Sequence, residues 1–173
     1  TGAEAFIDLI AANPGCLHLM AGPTHEMTRD ICIPAFEAAC PSGFITRYRK
    51  SERTYEIIGG RSVKHGSADK PSSMEGRNAA GGWADELRYW PFPSWRNFLA
   101  RMRDQRARRL QVLGTTTPDM EWLADEFDAG KPDRTVYRAS TRENAHNLAP
   151  GYIEDLERTY SKRLAESLIE GRF

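Results

Sequence analysis

Two short polar segments of the chain carry residue types that can act on phosphate. One is the acidic pair Asp85-Glu86, and the other is the run of hydroxyls Thr115, Thr116 and Thr117. An aspartate at the end of a buried strand can orient the water shell of a magnesium ion, and an adjacent glutamate can prepare a water for attack. A threonine-rich turn after the next strand can report whether a γ-phosphate is present. Together, the two segments predict a nucleoside triphosphatase.

Each segment also has a purely structural interpretation. An acidic pair after an apolar strand is common in solvated turns, and threonine with proline suits the turn between a strand and a helix. The phosphate-binding pattern Gly-x-x-x-x-Gly-Lys-Ser/Thr does not occur, because the single Gly-Lys, Gly130-Lys131, is followed by Pro132. The order of the two polar segments along the chain nevertheless favours the interpretation as a nucleotide site.

Hydrophobic patterning predicts strands that end at both polar segments. The apolar run 16–21 predicts a buried parallel strand, 81–86 a strand that carries the acidic pair, and 110–113 a strand that ends at the threonines. Alternating residues predict a hairpin over 44–48 and 55–57, a short strand through Val63, and a strand over 134–139. Because helical segments alternate with these strands, we expect a three-layer α/β fold with a mainly parallel sheet and a β-hairpin insertion. Ligands bind such sheets at the carboxyl ends of the strands, so both polar segments should face one edge.

The predicted helices have recognisable ends. Apolar spacing indicates a helix over 3–10 that ends at Asn13, and Thr24 is a candidate N-cap for a helix that bends at Pro34. A further helix is predicted after Pro93, and another runs from Asp119 to Gly130 with Met120, Leu123, Ala124 and Phe127 inward. After Pro150 we expect two helical segments, the first with Ile153, Leu156 and Tyr160 on one face and the second with Leu164 and Leu168. We expect residues 1–149 to form the core and 150–173 to form C-terminal helices or a linker.

Composition argues against several classes of protein. The formal net charge is +0 and the sequence pI is about 6.9, so the basic footprint of a typical nucleic-acid-binding domain is absent. The three cysteines form no Cys-x-x-Cys pair, and the four histidines lack ligand spacing, which argues against a zinc site. No apolar run is long enough for a membrane span. Clusters of basic residues over 47–53 and 101–109 can meet phosphates, although for any single residue a solvated helix face or hairpin edge is the favoured explanation.

An ordered series of segments resembles the large terminase subunits of bacteriophages. The matching residues are Met20-Ala21-Gly22-Pro23-Thr24, Arg29-Asp30, Gly76-Arg77, Trp83-Ala84-Asp85-Glu86-Leu87, Trp90, Gly114-Thr115-Thr116-Thr117-Pro118, Ser140-Thr141, Asn144, Leu148-Ala149-Pro150 and Tyr152-Ile153. Gly76-Arg77 departs from the family pattern, in which arginine precedes glycine. The resemblance covers nearly the whole chain and depends on the order of the segments more than on any one of them.

The resemblance implies a P-loop NTPase-like fold and an ATPase that requires ATP and Mg²⁺. It implies a motor that drives double-stranded DNA through a portal protein into a procapsid, in the host cytoplasm, as a homo-oligomeric ring with a small terminase subunit as partner and no membrane association. It also implies a nuclease domain downstream of this chain and a phosphate loop that ends at Thr1-Gly2.

Roles for individual residues follow from the same resemblance. Asp85 and Thr1 would hold the magnesium shell, Glu86 would activate the attacking water, and Thr115, Thr116 and Thr117 would sense the γ-phosphate. Arg77 is instead the candidate nucleotide-facing arginine because of its position just before the acidic strand. Two alternatives stay open: a helicase-type motor that shares the Asp-Glu strand, and a non-catalytic relative that only docks on DNA or a capsid protein.

Overall fold

The computed structural model describes residues 1–118, 122–128 and 131–171. Its strands are β1 (Leu17–Gly22), β2 (Ile45–Arg49), β3 (Thr54–Ile57), β4 (Arg61–Ser67), β5 (Gly81–Ala84) and β6 (Gln111–Gly114). Its α-helices are α1 (Gly2–Ala12), α2 (His25–Met27), α3 (Ile33–Ala39), α4 (Phe92–Leu99), α5 (Tyr152–Thr159) and α6 (Lys162–Glu170). The described residues divide into two compact units, Thr1–Thr115 and Thr116–Phe173.

All six strands lie in one mixed sheet in the first unit, with the order β2-β3-β4-β1-β5-β6. The pairs β4–β1, β1–β5 and β5–β6 are parallel, whereas β2–β3 and β3–β4 are antiparallel. The expected mainly parallel sheet with an inserted hairpin is therefore confirmed. Strand β4 runs on to Ser67, well beyond Val63, because its whole length pairs with β1 or β3.

Helices cover both faces of the sheet, and two glycines in β5 make room for them. A Cβ atom on Gly81 would lie 2.6 Å from Leu9 Cδ2 in α1, and one on Gly82 would lie 2.5 Å from the Phe98 ring in α4. Successive strand residues point to opposite faces, so each glycine admits the helix on its own side. This close approach explains why β5 lacks the bulky side chains of most buried strands.

The main core lies between α1, α3 and the sheet. Phe6 is fully buried, with its ring centroid 6.0 Å from those of both Phe36 and Trp83. Thr1 begins α1 with a capping box, in which its hydroxyl accepts a hydrogen bond from the Glu4 amide and the Glu4 carboxylate bonds back to the cap. Asn13 ends the helix, as its sequence predicts.

The segment after β1 is helical, but its geometry is irregular. Thr24 caps it as expected, since its hydroxyl accepts from the Met27 amide at 3.1 Å. A π-helical turn, Thr28–Cys32, follows α2 directly and leads into α3, whose first turn contains Pro34. Proline has no backbone N–H to donate to the carbonyl four residues earlier. Because a π turn does not use that i→i−4 hydrogen bond, proline is well tolerated next to it.

Among the described residues of the second unit, the predicted strand is absent. The strand predicted over 134–139 is wrong, because that segment has no regular structure and pairs with no described strand. Tyr137 is 93% exposed and Val136 is 37% exposed, so the alternating pattern buries no apolar face. In the helix predicted over 119–130, Leu123 is buried, Ala124 and Phe127 are half-buried and Ala124–Asp128 is a π turn, whereas Asp119, Met120 and Gly130 lie outside the described residues.

The two predicted C-terminal helices are present as α5 and α6, which together span Tyr152–Glu170. In α6, Ala165 and Ile169 are buried, whereas Leu164 is exposed. The boundary expected at 149/150 remains a prediction. Among the described residues, no helix combines the length and apolarity that crossing a membrane requires.

Candidate functional site

The candidate site lies at the carboxyl edge of the parallel strands in the first unit. Ala84 pairs with Gly114 at the last register position of β5 and β6, so the next residues, Asp85 and Thr115, emerge side by side. Backbone bonds continue past the strands, from the Asp85 amide to Ala21 and from the Thr115 amide to Ala84, at 2.9 and 3.0 Å. The expected convergence of Asp85 and Thr115 on one edge is confirmed.

The Asp85 carboxylate is held through both of its oxygens. The Thr115 hydroxyl donates to Asp85 Oδ1 at 2.5 Å, and the Cys32 thiol donates to Asp85 Oδ2 at 3.6 Å. Thr115 Oγ1 in turn accepts from the indole N–H of Trp83 at 2.8 Å, which directs its own proton towards Asp85. The indole of Trp90 donates to the Asp85 backbone carbonyl at 2.9 Å. Asp85 is therefore fixed in both backbone and side chain.

Glu86 adopts a backbone conformation that is uncommon for its residue type. Its φ is 48°, and among the described non-glycine residues only Arg53 shares a positive φ. Such left-handed positions store strain and cluster at functional sites. Burial is the main cause that raises the pKa of Glu86, the Arg88 charge opposes this shift, and the Asp85 charge adds to it. Arg88 forms an ion pair with Glu86, in which Arg88 Nε lies 3.4 Å from Glu86 Oε2.

The first turn of α1 lies against the same edge. A Cβ atom on Gly2 would lie 2.6 Å from the Thr115 methyl group and 3.1 Å from Trp83 Nε1. Only glycine lets the helix end approach this closely. Thr1 and the positive end of the α1 dipole are thereby placed beside Thr115, where backbone amides favour a phosphate group.

The roles of all the predicted site residues remain predictions, including those of Thr116, Thr117 and Arg77. Thr116 and Thr117 belong to the second unit. Arg77 is exposed, and its charge acts on Lys64 in β4, whose pKa is lowered first by burial and then by the charges of Arg77 and Arg53. No hydrogen bond from Arg77 to Asp85, Glu86 or Thr115 occurs within the described residues.

Four side chains that contact Asp85, Glu86 or Thr115 had no predicted role at the site: Cys32, Trp83, Arg88 and Trp90. The residue types of Cys32 and Trp83 predict structural side chains in the core, and both are indeed buried, at 1% and 3% exposure. The period of two along a strand gives a signal for Trp83, because it places Trp83 on the same face as Asp85. Nothing in the sequence indicates Cys32, which reaches Asp85 from 53 residues away.

The side chains present fit a nucleotide-bound magnesium ion better than a metal held by protein alone. Within the described part of the chain, no three His, Cys, Asp or Glu side chains are grouped to hold a metal. Magnesium needs no such cage, since it is usually bound through one or two carboxylates, waters and substrate phosphates. Each oxygen of an ionised carboxylate has two acceptor sites, so Asp85 keeps one free on each oxygen after Thr115 and Cys32 have bonded.

Comparisons with known proteins bear on the family and the fold. The profile of the family described as "Terminase large subunit, T4likevirus-type, N-terminal" matches residues 23–173. Among curated proteins, none matches the chain significantly.

Solved structures of large terminases share the fold. The large terminase from a thermophilic bacteriophage superimposes with a TM-score of 0.79 at 16% identity, over 99% of this chain and 44% of that one. The same phage protein in complex with ATP-gamma-S gives a TM-score of 0.75 at 14% identity, over 95% of this chain and 41% of that one. The ATPase domain of the Thermus phage P74-26 large terminase gives a TM-score of 0.73 at 14% identity, over 99% of this chain and 82% of that one. The chain thus spans less than half the length of the first of these proteins.

Proposed function

The chain belongs to the T4likevirus-type family of terminase large subunits, within their N-terminal region, and from this membership we propose that it is the ATPase part of a DNA-packaging motor. In this proposal ATP hydrolysis drives double-stranded DNA into a procapsid. The observation that carries it is the hydrogen bond between Thr115 and Asp85, which joins the two polar segments at the carboxyl edge of the sheet.

Each side chain has a defined task in the proposed reaction. Asp85 would hold the magnesium ion, with Thr1 at the start of α1 as the second protein group. When bound, the ion supplies positive charge that neutralises the phosphate oxygens. Glu86 accepts a proton from the attacking water, and its partial burial favours this, because a carboxylate with a raised pKa is a stronger base.

Thr115 is suited to relay the state of the nucleotide, since its hydroxyl bonds Asp85 and its backbone bonds the segment that carries Glu86. Its carbonyl accepts from the Leu87 amide at 3.1 Å. A change at the γ-phosphate that moves Thr115 therefore moves both acidic residues. Thr116 and Thr117 extend this sensor, and Arg77, in its own subunit or in a neighbour, supplies positive charge to the transferred phosphoryl group.

The partners of the proposed motor follow from the family. They are double-stranded DNA, a portal protein, a small terminase subunit and further copies of the same chain in a ring, in the host cytoplasm. Cleavage of DNA would fall to a separate nuclease domain. A non-catalytic family member that only docks on DNA or a capsid protein is the alternative, and it predicts no turnover.

ATP hydrolysis by the intact protein tests the proposal. We expect turnover that EDTA abolishes, and an Asp85→Asn variant that needs about 10–100-fold more magnesium. Asp8→Asn, an exposed change in α1, is the matched control and should leave turnover unchanged. Intact protein that binds DNA but never hydrolyses ATP would support the non-catalytic alternative instead.

A further inference from the structure

We propose that Cys32 is a positioning residue for the proposed ATPase site, whose thiol fixes the orientation of the Asp85 carboxylate towards magnesium. This inference rests on the proposed function. It assigns a task to a buried side chain that the chemistry of ATP hydrolysis does not otherwise require.

The carboxylate of an aspartate does not fix its own orientation. Its terminal torsion is broad and roughly two-fold, so the plane of the oxygens turns unless neighbours hold it. Thr115 alone would hold Asp85 Oδ1 and leave the plane free to rotate about that contact. The Cys32 thiol, 3.6 Å from Oδ2, supplies a second point and so defines the plane.

The backbone around Cys32 is shaped to deliver the sulfur to this position. Cys32 ends the π-helical turn, in which the Ile33 amide bonds to the Thr28 carbonyl. The Thr28 hydroxyl accepts from the Gly22 amide at 2.9 Å, which pins the turn to the end of β1. A Cβ atom on Gly22 would lie 3.2 Å from Cys32 Sγ, so glycine leaves space for the sulfur beside the strand. Single π turns of this kind are frequent at functional sites.

A packing role is the competing explanation, since Cys32 is also part of the apolar core with Phe6 and Phe36. The two roles predict opposite rankings of substitutions. Valine is apolar but has no donor and one more heavy atom than cysteine, whereas serine keeps a donor but is smaller and more polar. If Cys32 only packs in the apolar core, Cys32→Val should stay closer to the wild type than Cys32→Ser. If Cys32 positions Asp85, the ranking reverses for magnesium affinity, and Cys32→Ser should stay closer to the wild type than Cys32→Val.

The test measures the magnesium concentration for half-maximal binding of a non-hydrolysable ATP analogue by calorimetry, and the same midpoint for turnover, in the intact protein. We expect Cys32→Val to raise both midpoints about 10-fold, and Cys32→Ser to stay within about 3-fold of the wild type. Binding of the analogue without magnesium should not change. Cys16→Val is the matched control, because Cys16 is equally buried but its thiol donates to the Pro14 carbonyl.

The outcomes distinguish a failure of the role of Cys32 from a failure of the proposed function. If the wild type depends on magnesium and Cys32→Val has the same midpoints as Cys16→Val, the role of Cys32 is overturned and the ATPase proposal stays intact. A wild type that binds no nucleotide with magnesium would overturn the proposed function, and the role of Cys32 with it.

Discussion

The Thr115 hydroxyl links the apolar core to the acidic edge, and its removal should cost more stability than its partial exposure suggests. Thr115→Val keeps the shape of the side chain but removes an acceptor for Trp83 Nε1 and a donor to Asp85 Oδ1. A hydrogen bond to a charged group contributes about 1.5–3 kcal/mol, and a neutral one contributes about 1 kcal/mol. Because Asp85 and Thr115 are only half-buried, water compensates in part, so we take the lower values and expect a loss of about 2–3 kcal/mol.

Urea denaturation followed by tryptophan fluorescence measures this loss. Thr46→Val is the matched control, because Thr46 lies on the exposed strand β2 and donates only to the Glu56 carbonyl. Surface substitutions of this kind usually stay within about 0.5 kcal/mol. Thr115→Ser retains the hydroxyl and should recover most of the difference. If Thr115→Val and Thr46→Val lose the same free energy of unfolding, the hydrogen bonds between Trp83, Thr115 and Asp85 do not stabilise the fold. The Thr115 hydroxyl then does not link the apolar core to the acidic edge.

Two further predictions concern the packing of strand β5 and the pKa of Glu86. Gly82→Ala places a Cβ atom 2.5 Å from the buried Phe98 ring, so we expect urea denaturation to show a loss of about 1–3 kcal/mol in the free energy of unfolding. Phe98→Leu in the same chain should recover part of this loss, and a Gly82→Ala protein as stable as the wild type would contradict the prediction. Arg88→Met removes the positive charge that opposes the raised pKa of Glu86. Since Glu86 must be ionised to accept a proton, a higher pKa should move the acid limb of the pH–kcat profile of the intact protein to higher pH, and an unmoved or lowered limb would exclude Glu86 as the titrating base.

Local signals in the sequence were sufficient for much of the first unit. The apolar face of α1, the cap at Thr24 and the hairpin β2–β3 were all predictable, because each depends on neighbours along the chain. The convergence of Asp85 and Thr115 was also predictable, since parallel strands end at one edge of a sheet.

The remaining features depend on partners that are distant in sequence. The local alternation of apolar and polar residues does not predict that β1 lies between β4 and β5. Because β4 pairs with β1 along its length, it extends to Ser67. Alternation also predicted a strand over 134–139, where none of the described strands lies alongside to pair with it. Cys32 became part of the site only because a π turn brings its sulfur to Asp85, and no sequence pattern specifies that turn.

Single-turnover hydrolysis by the intact protein with Glu86→Gln tests the central claim most directly. Glutamine keeps the size of the side chain but cannot accept the proton of the attacking water. We predict that the rate of hydrolysis falls by about 10²–10⁴-fold while magnesium-dependent binding of ATP is retained, and that Glu26→Gln, an exposed change in α2, alters neither. A rate for Glu86→Gln equal to that of the wild type would exclude Glu86 as the base that activates water.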